Sequence, residues 1–232
     1  MAPPALAPAS APDGQTPRYR VAIFDFDGTL ADSGDWFLSI ADDLAERFRF
    51  RRVDPSEVEA LRGRTSREVI RHLGIPRWKI PAIARHVHKR LAGETDRIAL
   101  FDGVESMIAQ LVANGVRIAI VTSNAEGNVR AILGPEIVAK IDMFECGASL
   151  FGKARRFRRV LRTLDVAKAD VIAIGDETRD IVAANKVGIH KAAVLWGYAN
   201  RAILTALQPE MVFNSPADVT DFLLGEQHEA AA

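Results

Sequence analysis

The stretch VAIFDFDGTLADS, residues 21–33, decides how the rest of the sequence is interpreted. Its first four residues are apolar, which is typical of a strand buried in a parallel sheet, and acidic residues begin where that strand would end. Open parallel sheets bind their ligands beyond the carboxyl ends of the strands. Asp25 and Asp27 are therefore predicted to lie in a ligand-binding site. Gly28 allows the loop after them to turn tightly and to bring its backbone close to a ligand.

Apolar runs and helical patterns alternate in the second half of the sequence. The strand-like runs lie at 117–122, 141–144, 171–176, 192–195 and 211–213. Near-continuous apolar strands that alternate with helices are typical of a parallel sheet covered on both faces. The sequence therefore predicts an α/β fold with a doubly wound parallel sheet.

The segment between residues 34 and 99 has helical spacing and no clear strand pattern. Trp36, Phe37 and Phe48 are interpreted as the apolar core of this block. Because it follows the first strand directly, the block is predicted to cover the site as an all-helical cap. The predicted division is a disordered tail rich in Ala and Pro at 1–18, a core of 19–33 and 100–226, and a cap at 34–99.

The overall charge and the cysteine content exclude several classes of protein. Lysine plus arginine and aspartate plus glutamate balance at 30 each, so no global field draws the protein onto nucleic acid or a membrane surface. No apolar run approaches the ~20 residues that span a bilayer. The single cysteine, Cys146, cannot form an intramolecular disulfide, and the N-terminal segment lacks the apolar stretch of a secretory signal. We therefore predict a cytoplasmic protein with neither a nucleic-acid nor a membrane partner.

Polar side chains follow the predicted strands at the edge where the strands end. They are Asp25 and Asp27, Thr122 with Ser123 and Asn124, Lys153, and Asp176 with Asp180. Carboxylates in one crevice repel each other unless a cation lies between them, and hard oxygen ligands suit Mg²⁺. A lysine and a hydroxyl beside them supply charge and a donor for a phosphoryl group. Each residue alone has an ordinary explanation, such as a helix N-cap or a solvated lysine, but their order on successive strands indicates one site.

Residues 25–33 resemble the first motif of the haloacid dehalogenase superfamily. Thr122 matches the second motif, Lys153 the third and residues 175–181 the fourth. The resemblance covers about residues 20–224 and places the helical block where the superfamily carries a helical cap on its Rossmannoid core.

Within the superfamily, residues 175–180 and 194–198 are most similar to the phosphoglycolate-phosphatase-like branch. The chain departs from that branch after Lys153, where Ala154-Arg155-Arg156 replaces the usual Lys-Pro continuation. The resemblance therefore suggests phosphoglycolate but leaves the substrate open.

The resemblance implies a magnesium-dependent phosphatase that forms an aspartyl phosphate and acts on a small phosphorylated metabolite. Asp25 would be the nucleophile, and Asp27 would protonate the leaving alkoxide and then activate water. The residues that would bind the phosphoryl group or neutralise its charge are Gly28, Thr122, Ser123, Asn124 and Lys153. Positioning and electrostatic stabilisation are what phosphoryl transfer requires of a protein.

The same resemblance implies the ligands of Mg²⁺. They would be the carboxylates of Asp25 and Asp176 and the main-chain carbonyl of Asp27. Asp180 would act through a water molecule or from behind the direct ligands. Glu177 ranks behind Asp180 for this role.

The cap contains a polar cluster at a predicted helix N-terminus. Arg62, Arg64, Thr65 and Ser66 are placed there to receive a carboxylate or a second phosphate of the substrate. The alternative is that Thr65, which has Glu68 three residues on and so predicts a capping box, only caps the helix and that the arginines face solvent. The histidines of the block lack metal-ligand companions and are interpreted as surface groups: His72, His86 and His88.

The second acid of the first motif, Asp27, helps to distinguish a phosphatase from other activities. Asp27 disfavours a dehalogenase, which has no alkoxide to protonate, and a phosphonatase, which would typically replace this residue. A phosphomutase uses the same acid pair and stays open. A receiver domain lacks the helical insertion, and a catalytically inactive binding or regulatory protein has no need of the complete set of polar residues. The oligomeric state is left open.

Overall fold

A computed structural model describes residues 17–147 and 152–225 of the chain. Its strands are β1 (Val21–Phe24), β2 (Ala31–Asp32), β3 (Ala99–Leu100), β4 (Arg117–Val121), β5 (Met143–Glu145), β6 (Val171–Gly175), β7 (His190–Val194) and β8 (Met211–Phe213). Its helices are α1 (Gly34–Phe48), α2 (Val58–Arg62), α3 (Ser66–His72), α4 (Ile80–Leu91), α5 (Val104–Ala113), α6 (Glu126–Val138), α7 (Lys153–Leu164), α8 (Thr178–Val187), α9 (Arg201–Thr205) and α10 (Pro216–Leu224). Most of the predicted disordered tail lies outside the described residues.

Six parallel strands form the main sheet in the order β5-β4-β1-β6-β7-β8. The order runs outward from β1 in both directions, so the predicted doubly wound α/β fold is confirmed. In the central register, Phe24 lies opposite Ile120 on one side and Ile174 on the other. The residues that follow these three positions consequently leave the sheet at the same edge.

Helices cover both faces of the sheet, as the continuous apolar strands predicted. On one face, Phe24 and Ile120 belong to a core that includes Ile108 of α5 and Leu223 of α10. The side chains that alternate with them point to the opposite face. There they pack with α7 and α8, whose contributions include Phe157 and Ala184. This packing on both sides holds the ends of β1, β4 and β6 in a fixed arrangement.

Within the described residues, the segment from α1 to α4 contains helices and two 3₁₀ turns, Pro55–Glu57 and Arg77–Lys79, and no strand. A short antiparallel pair flanks it, with Ala31 opposite Leu100 and Asp32 opposite Ala99. These two-residue strands are too short to give a periodic signal in the sequence. They bring the entry and the exit of the helical block together beside the end of β1.

The orientation of α1 corrects one sequence interpretation. Trp36 is buried and its indole Nε1 donates a hydrogen bond to Glu94 at 2.9 Å, whereas Phe37 is 47% exposed. Ile40 and Leu44 share the buried side of the helix with Trp36 because residues four apart lie on one face. Assigning Phe37 to the core of the block was therefore wrong. Phe48 is partly buried and packs against the core as expected.

No helix among the described residues is long and apolar enough to cross a membrane.

Candidate active site

The carboxylate of Asp25 lies at the end of β1 and is 3% exposed. Its Oδ1 accepts a hydrogen bond from the Phe26 backbone N–H at 2.8 Å. Its Oδ2 has no aligned hydrogen-bond donor in the described part of the chain. Two cations hold it by charge instead, Lys153 Nζ at 2.5 Å and Arg179 Nη2 at 3.6 Å. One oxygen of the carboxylate is thus fixed by the backbone, and the other faces two cations.

Lys153 is the first residue of α7, and its side chain is buried. Its ammonium group contacts Asp180 as well as Asp25. Burial works against its charge, but Asp180 and Asp25 outweigh burial and raise the pKa of Lys153. The lysine is therefore a permanent cation between two acids.

Asp176 follows β6 and is fully buried. It accepts hydrogen bonds from Thr29 Oγ1 and from the Tyr198 backbone N–H, each at 2.8 Å. Gly28, which has φ of 79°, and Gly197 both approach it so closely that a Cβ on either would lie within 3.0 Å of its side chain. These glycines allow two loops to close around the carboxylate.

Ligand atoms of Asp25, Asp176 and Asp180 lie within 4.8 Å of one another. Burial and the charges of Glu177 and Asp25 raise the pKa of Asp176 well above its usual range. Burial also raises the pKa of Asp180 to about 6, although Lys153 lowers it. Acids crowded in this way favour a bound cation, and an all-oxygen donor set suits Mg²⁺. The residues present fit a divalent metal ion.

The side chain of Asp27 stands apart from the other acids. The Asn124 side-chain N–H₂ group lies 3.2 Å from both of its oxygens, and Ser33 Oγ donates to it at 3.0 Å. The Ser33 hydroxyl also shares a 2.6 Å hydrogen bond with the Tyr198 hydroxyl. Burial, followed by the charge of Asp25, raises the pKa of Asp27 to about 6. The carboxyl group can therefore exchange a proton near neutral pH.

Thr122 and its neighbours follow β4. Thr122 is buried, and its Oγ1 accepts the Asn124 backbone N–H at 3.0 Å. Asn124, predicted to bind substrate, binds Asp27 instead. The backbone of Ser123 is hydrogen-bonded to the ring of His88 in α4. The predicted loop is present, but it also supports the second acid and contacts the helical block.

The predicted cap residues take different positions. Arg62 donates from Nε to the Tyr198 carbonyl and from Nη2 to the Gly197 carbonyl, both at 3.1 Å. Thr65 forms a capping box with Glu68 at the start of α3. Arg64 is exposed and lines a surface cavity of about 410 Å³. None of these arginine or threonine side chains has a contact with the carboxylate cluster among those seen in residues 17–147 and 152–225.

The histidines of the block are not simple surface groups. His88 is half-buried and contacts Ser123, His72 Nε2 lies 3.0 Å from Glu57 Oε2, and the ring of His86 packs edge-on against Phe48 at 5.6 Å. The surface interpretation is wrong because these rings lie between elements, where burial depends on long-range packing.

Sequence reasoning missed three residues of the site, namely Ser33, Arg179 and Tyr198. Arg179 precedes Asp180 within the fourth motif, and Nη2 of its buried guanidinium also pairs with Glu177 Oε1 at 2.8 Å. Ser33 closes the first motif. Both residues therefore lie in motifs that can be recognised in the sequence. Their contacts could not be predicted, because they depend on how separate loops meet.

Comparisons with known proteins agree with this geometry. A phosphoglycolate phosphatase of Synechococcus elongatus is 31% identical over 201 residues, which cover 86% of this chain and 95% of the relative. The tyrosine-protein kinase PtkA of Mycobacterium tuberculosis is 29% identical over 194 residues, which cover 82% of this chain and 66% of that protein. A predicted phosphatase from Clostridium acetobutylicum has the same fold, with a TM-score of 0.75 at 20% identity and coverage of 89% of this chain and 99% of that one.

The family profile supports the same assignment over most of the chain. The match runs through residues 22–194, from β1 to the end of β7, and so includes all the acids of the site. The order of the motifs, the sheet topology and the sequence relatives point the same way. The chain belongs to the haloacid dehalogenase-like hydrolases and within them resembles the phosphoglycolate phosphatases.

Proposed function

We propose that this protein is a magnesium-dependent phosphatase that hydrolyses a small phosphate monoester through a phosphoaspartate at Asp25. The observation that carries the proposal is the environment of the two carboxylate oxygens of Asp25. One carboxylate oxygen is fixed by a backbone N–H, and the other lies between two cations without an aligned hydrogen bond from the described residues. A buried carboxylate held in this way is arranged to attack an electrophile.

The residues account for both displacements. Asp25 attacks phosphorus, the bond from phosphorus to the ester oxygen breaks, and the proton of Asp27 passes to the leaving alkoxide. In the second displacement Asp27 takes a proton from water, the water oxygen attacks phosphorus, and Asp25 is released as a carboxylate. Asn124 and Ser33 hold Asp27 in place for both transfers. The pKa of Asp27, about 6, suits a group that must both give and accept a proton.

The metal ion would be held by Asp25 and Asp176, with the main-chain carbonyl of Asp27 and with Asp180 behind them. When bound, it would neutralise the charge that gathers on the phosphoryl oxygens. Lys153 adds a fixed positive charge beside Asp25. Thr122 and the backbone of Ser123 supply donors at the end of β4.

A small acidic phosphate ester such as phosphoglycolate is the proposed substrate class. Support comes from the Synechococcus relative, whose name states that activity, and from the basic residues of the cap. Arg64 is the proposed contact for a substrate carboxylate. Arg62 holds the loop at Gly197 and Tyr198, so its effect on substrate would pass through the position of the cap. A role for Thr65 would rest on its backbone, because its hydroxyl group caps α3.

The proposed cellular setting is the cytoplasm. Burial, followed by Glu126, raises the pKa of the Cys146 thiol to about 12. The thiol consequently stays protonated at neutral pH, and the sequence has no second cysteine to form a disulfide with it, which suits a reducing compartment.

The test is phosphate release from a panel of small phosphate esters, with Mg²⁺ and with a chelator. Release should require Mg²⁺ and should be lost in Asp25→Asn. A phosphomutase would return a phosphorylated isomer instead of free phosphate. A kinase like PtkA would transfer labelled phosphate from ATP to protein. Equal release by the wild type and Asp25→Asn would refute the proposal.

A further inference from the structure

Arg179 is a buried cation to which the displacement steps above give no role. It lies in the first turn of α8, and its side chain is 13% exposed. Nη2 lies 2.8 Å from Glu177 Oε1 and 3.6 Å from Asp25 Oδ2. The guanidinium therefore stands directly beside the oxygen that attacks phosphorus.

The remaining nitrogens of Arg179 have no hydrogen-bond partner in the described part of the chain. Nε and Nη1 are both buried, and neither has a hydrogen-bond acceptor among residues 17–147 and 152–225. A buried donor without a partner costs free energy, and such a group in a native protein is usually completed by an ordered water, an ion or a bound ligand. The two nitrogens lie on opposite edges of the guanidinium plane, beside the reacting carboxylate.

An anionic phosphoryl group has the chemistry that these donors need. Charge-assisted hydrogen bonds from a guanidinium to a phosphate oxygen are strong. Lys153 already contacts both Asp25 and Asp180, so its own donors are largely occupied. Arg179 has two nitrogens without an acceptor among the described residues, and either one has the capacity to donate to an incoming oxygen.

The orientation of the Arg179 guanidinium depends on a contact that begins in the cap. Glu177 binds Arg179 through Oε1, while its Oε2 accepts a hydrogen bond from the hydroxyl of Ser66, the first residue of α3. A chain of polar contacts thus runs from the cap through Glu177 and Arg179 to Asp25. Glu177 is a positioning residue, because it acts through Arg179.

We propose that Arg179 binds the phosphoryl group during transfer, with a charge-assisted hydrogen bond from Nη1 or Nε, and that Glu177, held by Ser66, keeps it in position. The inference rests on the proposed phosphatase function and adds a phosphoryl-binding cation to it. A structural role alone, in which Arg179 only balances the surrounding acids, is the competing explanation.

Calorimetric titration of the full chain with inorganic phosphate in the presence of Mg²⁺ tests the inference without turnover. Arg179→Ala should raise the dissociation constant by about tenfold or more, because a charge-assisted bond is lost. Arg179→Lys, which keeps the charge but not the guanidinium donors, should lie between Ala and the wild type. Arg158→Ala is the matched control, since Arg158 is exposed on α7 and bonds the Lys186 carbonyl. It should leave binding unchanged.

Turnover gives the second readout. With a small ester at saturation, Arg179→Ala should lower kcat on the order of 10²-fold, as the loss of one transition-state donor does in other enzymes. Millimolar guanidinium should restore part of that rate in Arg179→Ala and none in Asp25→Asn. A double-mutant cycle with Glu177→Gln should show coupling, because both changes disturb one contact.

The outcomes separate the two explanations. Unchanged phosphate affinity in folded Arg179→Ala, with kcat within about threefold and no guanidinium rescue, would overturn the inference even if the wild type is an active phosphatase. If the wild type releases no phosphate from any ester but binds inorganic phosphate through Arg179, the proposed function fails while the binding role stands. If Arg179→Ala does not fold, the affinity of Arg179→Lys decides, and a value equal to that of the wild type counts against binding by the guanidinium donors.

Discussion

The amide of Asn124 faces Asp27 and lies 3.2 Å from both of its carboxylate oxygens. The opposite end of the same amide is fixed, since Asn124 Oδ1 accepts the Ala125 backbone N–H at 2.8 Å and the Asn128 amide at 3.3 Å. Asn128 also donates to the carbonyl of His88 in α4 at 3.0 Å. The second acid is therefore oriented by a network that begins in the helical block.

Asn124→Ala should lower kcat by about tenfold, because a hydrogen bond to a carboxylate that must keep its direction is lost. KM should change much less, since the amide binds Asp27 rather than a substrate group. Steady-state kinetics on one ester measures both constants. Asn114→Ala removes an exposed amide bonded to Gln110 and serves as control. A change confined to KM would show that Asn124 binds substrate directly.

Asp27→Asn should slow the hydrolysis of esters with poor leaving groups more than that of esters with good ones. An alkyl alkoxide needs a proton as it departs, whereas p-nitrophenolate leaves without one. We expect a loss of about 10² to 10⁴ in kcat/KM, which reports the first displacement, for an alkyl phosphate and a markedly smaller loss for the aryl ester. Burst kinetics with the aryl ester would then show a slow second step, because Asp27 also activates the water. Equal losses in kcat/KM on both esters would contradict the acid role.

Gly197→Ala should destabilise the protein and remove activity. A Cβ there would meet the Asp176 side chain and the Gly28 carbonyl closer than 3.0 Å, and the backbone oxygen cannot move aside easily. We expect a loss of about 2 kcal/mol or more in the free energy of unfolding. Urea denaturation measures it.

Gly127→Ala is the matched control for that variant. Gly127 lies in the first turn of α6, and a Cβ there meets nothing within 4 Å. Alanine should be neutral or should stabilise by up to about 1 kcal/mol. If the two substitutions had equal effects, crowding at Gly197 would not be the cause.

Mg²⁺ should raise the melting temperature of the wild type in proportion to the logarithm of its concentration above the dissociation constant, because it binds the folded state. Asp176→Asn should reduce or abolish this shift. Differential scanning fluorimetry with and without chelator is sufficient. Asp42→Asn alters an exposed acid of α1 and should keep the full shift. A full shift in Asp176→Asn would place the metal elsewhere.

Glu57 should make the stability of the folded protein vary with pH in the acid range. The Asp54 backbone N–H and His72, with Arg51, lower the pKa of Glu57 to about 2. The folded state therefore prefers the ionised form, and its contribution is complete above the ordinary pKa, near 4.5, and lost as the pH falls towards 2. The difference in melting temperature between the wild type and Glu57→Gln should be largest near pH 6 and should shrink between pH 4.5 and 2.5. A difference that is constant with pH would assign the effect to the amide itself.

The central residues of the site could be predicted from the sequence because local sequence patterns identify them. Asp25 and Asp27 follow an apolar run, Thr122 and Asp176 follow others, and parallel strands end at one edge. The capping box of α3 was also predicted correctly, since Thr65 and Glu68 are three residues apart. Such patterns depend on backbone geometry within a few residues, and distant packing does not alter them.

Sequence alone thus determined the α/β sheet, the helical insertion and the identity of the acids, because strand periodicity and motif spacing are local properties. Only the tertiary structure decided what Arg62, Ser66, Asn124 and Arg179 contact. Arg62 meets residues 197 and 198, and Ser66 meets Glu177, across more than a hundred residues of chain. Such pairings depend on how the helical block lies against the sheet, which leaves no periodic trace in the sequence.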